Sequence, residues 1–198
     1  MYTIINSFNF KEGIMKKKTK KRKTPAEIKV GDLLLKNRKL FLYDEVEPEN
    51  IEKLVKGLFA LDLLNHKPIY LYLTSPGGSV EDGFSLINVI KLLKSPVITV
   101  VIGDVCSMAG LISIVGKTRL MSKNSFWMGH DMAGGIWGDY SGKVEYRAEF
   151  IKKCWKMIED HLKKYTKLTD RDLETLRNGE LWLNPEECLE KGIIDKII

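Results

Sequence analysis

Pro96 to Gly103 reads Pro-Val-Ile-Thr-Val-Val-Ile-Gly, and this run restricts the fold more than any other part of the chain. It does not alternate apolar with polar residues, so it does not suit a strand with one wet face. Nor is it long enough to span a bilayer. A run of this kind fits a strand covered on both faces, as in a parallel sheet. Its surroundings agree. Lys39–Tyr43 is a short, mostly apolar run, and Glu47–Asn65 repeats Ile51, Leu54, Val55, Leu58 and Leu61 at helical spacing. Ile69–Thr74 reads as a strand that ends in the turn Ser75-Pro76-Gly77-Gly78. A helix follows, with Val80, Phe84, Ile87, Ile90 and Leu93 on one face. Beyond the apolar run come a short helix at about Ser107–Val115 and strands near Arg119–Met121 and Phe126–His130. Alternation of this sort implies right-handed crossovers and a largely parallel sheet. With no repeat and no internal linker, the expectation is one α/β domain over residues 25–198.

Charge sets the first 24 residues apart. The 198-residue chain has a net charge of +6, yet residues 16–23 alone hold seven positive charges, leaving −1 for the rest. Such a block repels itself and usually stays solvated, so residues 1–24 are expected to form a flexible extension with a basic arm; contact of the arm with a partner or nucleic acid is the alternative. A near-neutral body argues against nucleic acid as the main partner. Met1–Phe10 lacks the basic region ahead of an apolar stretch that a secretory signal needs, and Met15 offers a second possible start. Cys106, Cys154 and Cys188 are too scattered for a disulfide framework or a zinc site, which suits a reducing cytoplasm. Fractions of 44% hydrophobic and 29% charged residues fit a soluble globular chain with no membrane segment.

After His130 comes the glycine-rich stretch 133–138, and then the longest helical pattern. Val144, Ala148, Ile151, Trp155, Ile158, Leu162 and Tyr165 recur at heptad spacing. Two readings of this seam stay open: the helix packs on its own domain, or part of it projects toward another subunit.

Acyl transfer needs a nucleophile, a base, an orienting acid and donors for the oxyanion. Ser107 follows the buried strand and opens a helix, where free N–H groups favour negative charge. A serine so placed is more often a helix cap. Gly77 and Gly78 lie at the end of the neighbouring strand and permit close backbone approach, although such a pair is more often a plain turn. His130 stands at a strand end; His66 and His161 have no obvious partner.

The conjunction resembles a family. Ser75-Pro76-Gly77-Gly78, then Gly103-Asp104-Val105-Cys106-Ser107-Met108-Ala109, then Met128-Gly129-His130, looks like the signature order of the proteolytic subunit of the Clp protease. Asn184-Pro185-Glu186-Glu187-Cys188 and Gly192-Ile193-Ile194-Asp195 are similar to the family's closing helix and strand. The lysine-rich composition and the Glu180–Glu186 segment look like phage or mobile-element relatives. This resemblance implies a ClpP/crotonase-like superfold with a projecting handle helix, here around residues 131–166. It also implies an ATP-dependent serine endopeptidase in which Ser107 is the nucleophile, His130 the general base, and the Gly78 and Met108 N–H groups the oxyanion hole. The chain itself would need no cofactor, because ATP is used by an AAA+ unfoldase partner. Protein and peptide substrates and a homo-oligomer of stacked seven-membered rings complete the expectation.

Counting back from Gly192 and Trp182, the family's aspartate position falls on Glu180. Asp172 and the lack of any carboxylate remain as alternatives. Val105-Cys106 departs from the small residues usual before the nucleophile, and Cys106 is read as a core residue. Two other classes compete. A crotonase-like acyl-transfer enzyme shares the oxyanion hole but has no need of Ser107 and His130 together. A catalytically impaired ring subunit or adaptor would keep the fold, and glutamate at 180 leaves that reading alive. A Ser-Lys peptidase would need a lysine base, and only Lys117 and Lys123 lie between Ser107 and His130.

Overall fold

The computed structural model describes residues 25–132 and 141–198. The basic arm at 16–23, the rest of the expected extension, and residues 133–140 of the expected handle lie outside the described residues. Fourteen elements follow in chain order: α1 (Pro25–Lys36), β1 (Lys39–Leu42), α2 (Pro48–Leu64), β2 (Ile69–Ser75), α3 (Val80–Leu92), β3 (Val97–Cys106), α4 (Met108–Ser113), β4 (Thr118–Met121), β5 (Trp127–His130), α5 (Ser141–Tyr165), α6 (Asp170–Asn178), β6 (Glu180–Leu183), α7 (Pro185–Glu190) and β7 (Lys196–Ile197). The α/β alternation expected from the sequence is present, and α1, α6 and β6 are additions to it.

The sheet runs β1-β2-β3-β4-β7, all parallel, with β5 and β6 off this path. β3 is the hub because it forks. Its first half pairs with β4 from Ile98↔Thr118 to Val101↔Met121, whereas its last two residues pair with β5 as Val105↔Trp127 and Cys106↔Met128. β6 then pairs antiparallel with β5, which is the one departure from a parallel sheet among the described strands. Covering on both faces holds only for the first half of β3. Val97, Thr99, Val100 and Val101 are buried, while Ile102 and Asp104 are exposed where the strand leaves β4.

Local chemistry fixes the helix ends. The Ser79 hydroxyl accepts the Asp82 N–H and caps α3, while Thr169/Asp172 and Asn184/Glu187 form reciprocal capping boxes on α6 and α7. Arg38 turns its buried guanidinium on the end of α2, donating to the carbonyls of Leu61, Asn65, Lys67 and Pro68. The expected closing strand lies just past Gly192–Asp195, at Lys196–Ile197. One continuous core joins Leu54 and Leu58 of α2, Leu71 and Leu73 of β2, Leu86 and Ile87 of α3, Met108 and Ile112 of α4, and Ile158 and Leu162 of α5. The heptad seam of α5 divides: Val144 and Ile151 are exposed, whereas Trp155, Ile158 and Leu162 are buried. No helix among the described residues is long and apolar enough to cross a membrane.

Candidate active site

Three strand ends build the site. β2 runs out into Pro76-Gly77-Gly78, β3 runs directly into Ser107, and β5 ends on His130. Since β2, β3 and β5 are parallel neighbours, these ends share one edge of the sheet, where open parallel sheets form their ligand crevice. They line a single cleft of about 340 Å³ whose walls include Gly78, Ser107, Met108 and His130.

The glycine turn lies hard against the serine. Gly77 and Gly78 have φ of 96° and 146°. A Cβ on Gly77 would strike the Cys106 carbonyl and the Ser107 Cβ, and one on Gly78 would strike the backbone of Val46. Val46 pins this turn: its N–H donates to the Gly77 carbonyl at 2.8 Å and its carbonyl accepts the Ser79 N–H at 2.7 Å. Neither bond uses the Gly78 N–H. Met108 is the first residue of α4, so its N–H has no intrahelical acceptor. Two backbone donors therefore flank Ser107.

Ser107 itself has φ 53° and ψ −124°, a left-handed conformation that costs a non-glycine residue roughly 1–3 kcal/mol and concentrates at functional sites. The strain is held by the Ser107 N–H, which donates to the Met128 carbonyl at 2.8 Å, and by the Ser107 carbonyl, which accepts the Leu111 N–H at 3.3 Å. The side chain makes no capping bond. That removes the structural role a serine before a helix most often has. A strained strand-to-helix turn of this type is how serine hydrolases expose a nucleophile.

His130 stands opposite Glu180 in the β5–β6 ladder, so the two side chains share a face with Cβ atoms about 4.5–5.5 Å apart. Among the described residues no hydrogen bond joins the Ser107 hydroxyl, the His130 ring and the Glu180 carboxylate. Glu180 Oε2 instead accepts the Trp182 indole N–H at 2.8 Å. Asp172, the alternative acid, is spent elsewhere: it closes the α6 capping box and pairs with Lys191 at 2.8 Å. Burial works against its ionisation, but Lys191 and the Thr169 donors outweigh that and leave its pKa below the ordinary value. For Cys106, burial and then the charges of Asp104 and Glu180 push the thiol pKa up, which opposes a role as nucleophile. It is half-buried at the end of β3, so the core reading holds only in part. Lys117 and Lys123 are exposed and away from the cleft.

Sequence reasoning missed the cleft's apolar walls, Val80, Leu111, Met132, Ile158 and Leu176, which come from five separate segments. It also missed the bond from Trp182 to Glu180, for which the only sequence signal was their i, i+2 spacing on one strand face.

The Clp protease family model matches residues 21–198. ATP-dependent Clp protease proteolytic subunit 2 of Treponema denticola is 31% identical over 181 residues, covering 90% of each chain. The ATP-dependent Clp protease proteolytic subunit of Streptococcus mutans is 33% identical over 173 residues, covering 83% of this chain and 86% of its own. Among solved structures, an asparagine-to-aspartate mutant of ClpP1 from Listeria monocytogenes superposes with a TM-score of 0.76 at 26% identity, covering 84% of this chain and 94% of that one.

Proposed function

The chain belongs to the Clp protease family, and from that premise we propose that it is a serine endopeptidase that cleaves proteins and peptides with Ser107, His130 and Glu180. A peptide carbonyl lies in the cleft with its oxygen toward the Gly78 and Met108 N–H groups. His130 takes the Ser107 proton as the hydroxyl oxygen attacks. The tetrahedral oxyanion forms between the two donors, the amine leaves with the proton from His130, and water hydrolyses the acyl-enzyme. Glu180 orients the imidazole. The apolar walls favour an apolar side chain next to the scissile bond.

One observation carries this reading: Ser107 is strained, uncapped, and shares one cleft with His130, Gly78 and Met108. A fluorophosphonate probe tests it. Mass spectrometry should find the adduct on Ser107, and Ser107→Ala should abolish labelling and lower peptide turnover on the order of 10⁶-fold. An adduct on Cys106, or labelling that persists in the alanine variant, would overturn the assignment.

A second reading has its own support. Glu180 is bonded to Trp182 and not to His130, which leaves the imidazole without a bound acid and suits a ring subunit with impaired catalysis; absence of labelling in the assembled protein would favour it. Either way we place the subunit in stacked seven-membered rings fed by an ATP-dependent unfoldase. Support comes from the first half of α5, where Tyr146 is 80% and Phe150 56% exposed.

A further inference from the structure

Glutamate makes an awkward orienting acid. It carries one more methylene than aspartate, and an exposed strand glutamate that is free to rotate loses entropy whenever it must hold one geometry. Opposite His130, its carboxylate can turn across to the imidazole, along the strand, or out to solvent.

The structure supplies a constraint. Trp182 lies two residues on from Glu180 and so on the same face of β6. Its indole N–H donates to Oε2 at 2.8 Å, and the other oxygen, Oε1, has no partner among the described residues. Trp182 is itself held. It stands opposite Met128 in the ladder, and its ring meets Phe126 edge to face at a centroid distance of 6.4 Å. The Phe126 N–H donates to Asp104 Oδ1 at 2.9 Å. Phe126 immediately precedes β5 and is tied through its backbone to Asp104 of β3, so the indole packs where these two strands meet.

Resting on the reading of Glu180 as the orienting acid, we infer that Trp182 is a positioning residue for it, fixing Oε2 so that Oε1 is presented to the His130 ring. A carboxylate has lone pairs enough to accept both donors, so the indole need not be displaced for the second bond to form. The hydrogen bond also limits the rotamers of the longer side chain.

The test is kinetic and uses the full chain as it assembles. Trp182→Phe keeps a ring for Phe126 and deletes the donor. It should lower kcat by roughly ten- to a hundredfold, the scale of misplacing a supporting group, with KM unchanged. The same substitution made on Glu180→Gln should add nothing, because its partner no longer acts. On Glu180→Asp, whose carboxylate is too short to reach the indole, it should also add nothing. Benzothienylalanine at position 182, in which sulfur replaces the N–H, should reproduce the loss in a side chain of the original shape; it gives the answer if Trp182→Phe misfolds. Unchanged or raised kcat in both Trp182 variants, with Glu180→Gln still impaired, would overturn the positioning role and leave the acid standing. If Glu180→Gln is as active as the unmodified protein, the acid assignment fails, and this inference fails with it.

Discussion

His161 is turned inward from the buried half of α5, its Nε2 3.1 Å from the Leu111 carbonyl and its ring between Phe84 and Tyr165. Burial drives its pKa down to about 4 from an ordinary 6.5, against the pull of the Leu111 bond and assisted by the Lys91 and Lys164 charges. The unfolded chain therefore takes up this proton near pH 6.5, while the folded one refuses it until about pH 4. Stability from the neutral ring is complete above about pH 6.5 and is lost as the pH falls toward 4, by up to roughly 3 kcal/mol. His161→Gln offers Leu111 an amide donor that does not titrate. Thermal melting between pH 7 and pH 4 should fall less steeply in this variant than in the unmodified protein. The two acids of the C-terminal region separate in the same way. Asp172→Ala should cost about 1 kcal/mol through the opened capping box and leave peptide turnover near normal. Glu180→Gln should lower turnover by roughly 10²–10⁴ with little change in melting. The reverse pattern would exchange their roles. Motif order brought Ser107, His130, Gly78 and Met108 to one place because each sits at or just past a strand end, which local sequence marks. The strain at Ser107 and the bond from Trp182 were not legible, since both depend on what the neighbouring strand holds.

Among the elements, α5 best separates what spacing can and cannot tell. Its heptad pattern is real, but identical spacing serves two environments. Ile158 and Leu162 join the core, and Trp155 is 5% exposed with the Arg177 guanidinium 5.4 Å above its ring. One turn earlier, Phe150 and Ile151 meet solvent. Periodicity records which face is apolar and says nothing of what covers it. For the same reason α6 escaped notice: it is nine residues long, and only Leu173 and Leu176 are buried. β3 was legible as a strand but not as a fork, because forking is decided by where β4 stops and β5 begins. The split helix has a direct test. Trp155→Glu should unfold the subunit, as truncating or charging a buried aromatic costs about 3–5 kcal/mol. Phe150→Glu with Ile151→Glu should leave melting nearly unchanged and yield smaller particles by light scattering. If the double variant sizes like the unmodified protein, the exposed half of α5 is not the proposed ring contact.

For the molecule as a whole, the fork in β3 has a mechanical consequence. Ser107, Gly78 and Met108, the proposed nucleophile and oxyanion donors, follow β2 and β3 or open α4, which are tied together by the long β2–β3 ladder and the buried side chains of Leu71, Leu73 and Met108. His130 and Glu180, the proposed base and acid, ride on the β5–β6 pair, whose backbone ladder to β3 consists of Val105↔Trp127 and Cys106↔Met128. The proposed reacting groups thus belong to two plates fastened along a short seam. A slip of a fraction of a bond length along that seam alters the reach of His130 toward Ser107 while every ladder inside either plate stays intact. Such an arrangement behaves like a clutch: the alignment between the two plates can be lost while each plate is left whole.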